Sequence, residues 1–276
     1  MFPPVTGRRV GRSDAGLLTV ETVHLPHTPS FRLDGRRALV TGAGRGIGAA
    51  AAAALVEAGA CVTLAARSQT ELEAVALALT GRGQKPKILP LDVTDAAAVC
   101  AALGDSGPFD ILVNSAGTNR PAQLVDTHDD DLIAVLDLNV RAMLQLTREV
   151  ARGMIAAGRG GSIITVSSQM GHVGGLKRSV YCATKHAAEG MSKALAWELG
   201  PHRIRVNTLC PTFIETAMTA PMLADAEFRH FVESKIALGR VGQLSEVMGA
   251  VVFLASDAAS LVTGSALMID GGWTAS

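Results

Sequence analysis

From Arg36 onward the chain alternates short, nearly unbroken apolar runs with longer alanine-rich stretches whose apolar residues recur at helical spacing. Residues 37–41, 61–66, 87–91, 111–114, 162–167, 205–209 and 267–269 read as strands. Residues 46–58, closed by Gly59, read as a helix, and so do 68–81, where Ser68 is the N-cap candidate. Residues 129–157 and 180–199 read as long helices. Strands without polar alternation, joined by helical crossovers, predict a parallel sheet covered on both faces. The fold class expected is α/β, a single-domain doubly wound (Rossmann) sheet of about seven strands. Residues 216–240 carry no clear strand and read as one or two short helices forming a lid.

The first thirty residues break the pattern. They are rich in Pro and Gly, carry Arg8, Arg9 and Arg12, and show little periodicity. They read as an N-terminal extension, loop or disordered, with the α/β domain spanning 31–276.

Composition narrows the function classes. Hydrophobic residues make up 48% of the chain, enough for a sizeable core. Lys+Arg and Asp+Glu are 25 each, so no global charge argues for nucleic acid or an anionic membrane as partner. No apolar run reaches spanning length. Cys61, Cys100, Cys182 and Cys210 are widely spaced without a C-x-x-C pair, which argues against a disulfide framework or metal site and for a reduced cytoplasmic setting.

The first predicted strand runs into Thr41-Gly42-Ala43-Gly44-Arg45-Gly46-Ile47-Gly48, and a helix starts there. Such a turn brings backbone N–H groups close to a pyrophosphate at a helix N-terminus. It lacks the Gly-Lys-Ser/Thr ending of a P-loop, which disfavours triphosphate hydrolysis. The second strand ends at Arg67 rather than at an acid. With Arg45, that cation suits the 2′-phosphate of NADP; NAD remains possible. Tyr181, the chain's one tyrosine, precedes Lys185 by four residues, so phenol and ammonium share a helix face. A nearby ammonium would bring the phenol toward neutrality as a proton donor or acceptor.

These motifs in register resemble the short-chain dehydrogenase/reductase family over residues 36–273, including members that reduce 3-oxoacyl carrier-protein thioesters and gluconate- or glucose-dehydrogenase-like members. The resemblance implies a catalytic tetrad of Asn139, Ser168, Tyr181 and Lys185. It implies cofactor contacts from Gly42, Gly44, Arg45, Gly46, Ile47 and Gly48, from Arg67, and from Asp92 and Val93 at the adenine. Asn114, Ala116 and Gly117 (with Ser115 a departure from the family turn), Pro211, Ile214, Thr216, Tyr181 and Lys185 complete the cofactor set. Ser168, Tyr181, His172 and Phe213 are expected to meet substrate. Lys177 and Arg178 read as a solvated loop, although an anionic substrate is an alternative. The implied reaction moves a hydride between NADP(H), or NAD(H), and a secondary alcohol or ketone. The substrate is a small molecule, either a 3-oxoacyl thioester or a sugar acid or polyol. The implied assembly is a homotetramer paired through the two long helices. A dinucleotide-binding regulator without turnover and a lyase or epimerase are the alternative classes.

Overall fold

The computed structural model describes residues 6–12 and 18–275, which divide between two units, Met1–Ser30 and Phe31–Ser276. In the first unit, β1 (Thr6–Arg12) pairs antiparallel with β2 (Leu18–His24), Thr6 opposite His24 and Arg12 opposite Leu18. The expectation of a loop or disordered extension is corrected for these residues; its positions 1–5 and 13–17 lie outside the described residues. The β-branched Thr19, Val20, Thr22 and Val23 supply the strand propensity that the Pro and Gly content obscures.

The second unit holds β3 (Arg37–Thr41), β4 (Cys61–Ala66), β5 (Lys87–Pro90), β6 (Ile111–Asn114), β7 (Gly161–Val166), β8 (Ile204–Pro211) and β9 (Ala266–Ile269). They form one parallel seven-stranded sheet in the order β5-β4-β3-β6-β7-β8-β9. Its helices are α1 (Gly46–Glu57), α2 (Gln69–Ala78), α3 (Ala96–Ser106), α4 (Asp129–Leu136), α5 (Met143–Ala157), α6 (Ser179–Leu199), α7 (Ala220–Leu223), α8 (Ala226–Ser234) and α9 (Leu244–Ala255). Neighbouring strand residues point to opposite faces, and this alternation assigns the layers. Val40, Val113 and Ile164 pack with α1, α2 and α9, whereas Leu39, Leu112 and Ile163 pack with α3, α5 and α6.

Periodicity misses α3 and α9. The first is an alanine-rich run started by Asp95, whose carboxylate accepts from the N–H groups of Ala97 and Ala98 at 3.0 Å. The second, apolar on all sides, is opened by a capping box between Gln243 and Glu246. The single helix expected over 129–157 is corrected to three segments, since Asp137–Ala142 between α4 and α5 is π-helical. A π turn adds a residue without changing sequence polarity, so apolar spacing alone does not reveal it.

The sheet order reverses between β3 and β6, and the loops leaving those two strands diverge around a crevice. One hydroxyl ties the loops together. Thr41 Oγ1 accepts from the N–H groups of Ser115 at 3.2 Å and Ala116 at 3.3 Å, and donates to the Val113 carbonyl at 3.4 Å. The backbones then approach so closely that a Cβ on Gly42 would stand 2.9 Å from Ala116 N. A Cβ on Gly48 would stand 2.2 Å from the Gly42 carbonyl oxygen, deep inside contact distance. Gly48→Ala is therefore expected to cost roughly 1–3 kcal/mol of stability. Urea unfolding checks this: the midpoint should fall at an unchanged slope, and an unmoved midpoint would show that the turn has room to relax.

Candidate active site

The crevice at the switch point opens into a cavity of about 950 Å³ that runs from the tip of β4 to the N-terminal half of α6. Gly42, Gly44, Arg45, Gly46, Ile47 and Gly48 form one wall. Gly46 takes φ +56°, and Arg45, at the N-cap of α1, makes no side-chain cap. The first-turn N–H groups of α1 are left without a side-chain acceptor, and no acidic residue sits in that turn. The Thr212 hydroxyl, farther along the same cavity, is buried without a hydrogen-bond partner among the described residues. A glycine cradle, open helix N–H groups and an unmet buried hydroxyl fit a dinucleotide in chemistry and in extent.

At the β4 end, Arg67 and Ser68 line the cavity opposite Asp92, Val93 and Thr94. Arg67 forms no ion pair among the described residues. Arg45 is 3.6 Å from Glu71, whose carboxylate also stands beside Gly44. Arg67 is thus the unpaired cation at this end, and Arg45 is partly neutralised. Asp92 Oδ1 accepts from the Thr94 N–H at 2.9 Å and its hydroxyl at 2.7 Å, which holds the carboxyl below its ordinary range, aided by Arg67.

Two asparagines of the expected site lie behind the cavity wall. Asn114 is buried and donates to Thr147 Oγ1 at 2.9 Å and Thr165 Oγ1 at 3.4 Å, so it braces β6 while Ala116 and Gly117 line the cavity. Asn139, in the π segment, accepts from the Thr118 N–H at 2.9 Å and donates to the Thr118 carbonyl at 2.9 Å. It also donates to Thr184 Oγ1 at 3.2 Å, and Thr184 donates to the Tyr181 carbonyl at 2.8 Å. Asn139 therefore fastens the wall at Thr118 to α6.

Ser168, Tyr181 and Lys185 converge at the far end of the cavity. Ser168 follows β7 and caps a short 3-10 turn, accepting from Met170 N at 3.1 Å while its hydroxyl donates to Gln169 Oε1 at 2.8 Å. Lys185 Nζ donates to the Val166 carbonyl at 2.8 Å and lies 5.4 Å from the Tyr181 ring centroid. Burial pushes the phenol up to about 12, partly offset by the Ser168 hydroxyl and the Arg178 charge. Burial pushes Lys185 down to about 8, with Cys210 and Glu189 working against it. The near-neutral phenol expected from the sequence is corrected, since burial displaces it upward. The ammonium is aimed at a carbonyl rather than the phenolic oxygen, and desolvation dominates.

Two expected substrate contacts stand elsewhere. Phe213 packs edge-on to Phe228 at 5.8 Å and stacked on Trp273 at 5.9 Å, against a small core of Leu223, Val232, Ile236 and Val241, and does not line the cavity. His172 points away toward Glu189 and Cys210, its Nε2 3.6 Å from both Glu189 Oε2 and Cys210 Sγ. Cys210 donates to Glu189 Oε1 at 3.3 Å, and burial pushes its thiol up to about 12. Thr208 donates to the other carboxylate oxygen at 2.8 Å. The pair Lys177 and Arg178, read as solvated, separates: Lys177 is exposed at φ +58°, whereas Arg178 is 8% exposed. Pro211, Ile214 and Thr216 line the cavity. Thr94, Thr118, Arg120 and Thr219 line it too and were not anticipated, because loop residues carry no periodicity.

The family model described as enoyl-(acyl carrier protein) reductase matches residues 42–274. The chain is 41% identical to a D-erythrulose reductase of Gallus gallus over 90% of its length and 99% of that protein. It is 38% identical to a gluconate 5-dehydrogenase of Gluconobacter oxydans, covering 91% of this chain and 100% of that one. A solved gluconate 5-dehydrogenase from Burkholderia cenocepacia, in complex with NADP and tartrate, superposes with a TM-score of 0.85 at 36% identity, covering 89% and 98% of the two chains. The chain belongs to the short-chain dehydrogenase/reductase family, and is an NAD(P)-dependent oxidoreductase.

Lys185 gives a pH signature. Its folded pKa of about 8 lies below the ordinary lysine value of 10.5. The unfolded chain thus holds this proton more firmly between those limits, and the penalty is full below about pH 8 and lost as pH rises toward 10.5. Wild type should gain roughly 1–3 kcal/mol on Lys185→Met between pH 7 and 10. Parallel denaturant titrations check the slope, and a pH-independent difference would mean the ammonium is not desolvated.

Proposed function

We propose that this protein interconverts a secondary alcohol and a ketone on a small polyhydroxylated substrate, with NADP(H) preferred over NAD(H). The convergence of Ser168, Tyr181 and Lys185 beside the glycine-walled crevice carries the reading. When bound, the dinucleotide supplies or accepts the hydride. Gly42, Gly44, Gly46, Ile47 and Gly48 would hold its pyrophosphate, Asp92 and Val93 its adenine, Lys185 a ribose, and Thr216 and Ile214 the far end. Ser168 turns its hydroxyl from Gln169 to donate to the substrate oxygen. Tyr181 gives that oxygen a proton in reduction and takes one from it in oxidation, and a phenol at about 12 enters reduction as the acid. Lys185 favours the phenolate left behind, while Asn139 keeps the wall at Thr118 in place and serves the relay that returns a proton to Lys185.

A sugar or polyol is favoured over a thioester because the relatives named above are called erythrulose reductase and gluconate dehydrogenase. Arg67 supports NADP, in keeping with the NADP held by the Burkholderia structure. Exposed Ile133 and Leu136 on α4, Leu144 on α5 and Trp197 on α6 support pairing of these helices in a homotetramer. No helix among the described residues is long and apolar enough to cross a membrane. Free cysteines support a reducing, cytoplasmic setting.

Tyr181→Phe should lower kcat at least a thousandfold on a panel of ketoses and polyols while NADPH still binds, as nucleotide fluorescence would show; near-wild-type turnover would sink the mechanism. Arg67→Ala should cut the NADPH-over-NADH preference roughly tenfold to a hundredfold in kcat/KM. An unchanged ratio would remove Arg67 from the nucleotide site.

A further inference from the structure

Arg178 is an arginine in a place that does not suit one. It occupies the N-cap position of α6, a helix of 21 residues, at the end where the backbone dipole is positive. Cations belong at the other end of a helix. Its side chain makes no cap, and the first turn of α6 contains no acidic residue. Only 8% of Arg178 is exposed, yet it takes part in no ion pair among the described residues. The partners of its guanidinium are the Lys177 carbonyl at 3.3 Å and the thioether of Met222, on lid helix α7, at 3.2 Å. A thioether is a weak acceptor and neither group carries charge. Lys177 itself takes φ +58°, an uncommon conformation for a side chain of this kind.

A desolvated guanidinium of five donors, without a counter-charge and set against a positive helix end, is strongly unfavourable. An arriving anion relieves both costs at once, accepting from the fork and from the first-turn N–H groups of α6. The site is also in the right place. Arg178 precedes Tyr181 by three residues on adjoining turns, close enough that its charge acts on the phenol. It reaches α7 through Met222, and the cavity lining comes as near as its neighbours in sequence, Tyr181 on α6 and Met218 and Thr219 just before α7.

We propose that Arg178, with the N-terminus of α6, binds a carboxylate of the substrate, so that the enzyme selects polyhydroxy acids over neutral sugars and polyols. This rests on the reading above, in which Ser168 and Tyr181 hold the reacting oxygen. One guanidinium and one helix terminus match a single negative charge in planar, two-point geometry. A phosphate dianion would be under-neutralised, since the guanidinium meets only the uncharged Met222 thioether and Lys177 carbonyl and the Lys177 side chain is exposed. Met222 gives the selection a link to the lid: pairing frees the thioether, and the roof settles on the bound acid.

The test separates binding from turnover. D-Gluconate, sorbitol and glucose 6-phosphate are titrated calorimetrically into NADP-loaded Tyr181→Phe protein, with and without Arg178→Met, and with Arg178→Lys as the conservative variant. The expected result is that gluconate binds the Tyr181→Phe protein, and that Arg178→Met weakens it about a hundredfold with less than a threefold change for sorbitol. Arg178→Lys should recover part of the loss, because it restores charge without the fork. In steady state, the acid-to-neutral ratio of kcat/KM should fall by a similar factor in Arg178→Met alone, through KM. Gluconate affinity unchanged in a folded Arg178→Met protein overturns the proposal. So does tighter binding of glucose 6-phosphate than of gluconate, or a changed oligomeric state with the acid-to-neutral ratio intact. If wild type turns over no alcohol or ketone, the reaction assignment fails, and gluconate binding still decides the role of Arg178.

Discussion

The hydrogen bond from Lys185 to the Val166 carbonyl is the constraint on which the site depends. Val166 ends β7, and Ser168 lies two residues beyond it, so this bond sets α6 at a fixed height above the sheet edge. Tyr181, one turn before Lys185, is carried with it to the Ser168 hydroxyl. The contact is tight from the other side as well: a Cβ on Gly171 would stand 3.1 Å from both the Lys185 carbonyl and Glu189 Cγ. Below it, Thr208 and Cys210 of β8 both donate to Glu189, which pins the next turn of the helix to the neighbouring strand. A helix anchored at two successive turns has little freedom to slide, and proton transfer needs that precision.

Charge in this corner is arranged for an occupant. The same burial that holds α6 in place opposes ionisation of Tyr181 and protonation of Lys185, and it leaves Arg178 without a counter-charge. Glu189 compensates from beneath, since its carboxylate raises the Lys185 affinity for its proton. Nothing comparable faces Arg178 among the described residues. The cofactor end is different: Arg45 is paired with Glu71 and Asp92 is satisfied by Thr94, which leaves Arg67 as the exposed, unspent cation. Arg67 lines the cavity and Arg178 is buried three residues before Tyr181; neither guanidinium takes part in an ion pair among the described residues.

The sheet was largely legible from sequence, because a parallel strand buried on both faces is an apolar run and little else in the chain imitates it. The glycine turn was legible for a related reason: Gly42 and Gly48 are demanded by backbone contact, which side-chain chemistry cannot replace. What escaped depends on tertiary context. The π turn at Asn139 changes register without changing polarity. Asn114 and Asn139 belong to the site through what they brace, and a residue string does not distinguish bracing from lining. Phe213 and His172 sit beside the cavity in sequence terms, but aromatic packing with Phe228 and Trp273 draws one into the lid, and Glu189 draws the other behind the wall. Arg178 followed an exposed lysine and glycines, the composition of a solvated loop. Its burial comes from Met222, more than forty positions away.

The division of labour within the cavity follows from which elements can vary without disturbing the others. The glycine wall and the Thr41 clamp are backbone contacts at the switch point, so changes there alter the whole sheet. The Ser168, Tyr181 and Lys185 arrangement is held by strand ends and a buried carbonyl, and in the proposed reaction it would serve any oxygen placed between the two hydroxyls. Neither part can tell an acid from a neutral sugar. That distinction has to be made one turn outward, where the N-terminus of α6 meets a lid whose own core is Phe213, Phe228, Trp273 and the apolar side chains packed with them. The lid core holds without Met222, which leaves that side chain able to exchange its contact with Arg178 for one with substrate. A buried charge facing a replaceable thioether is a selective element that can be filled without rebuilding the fold.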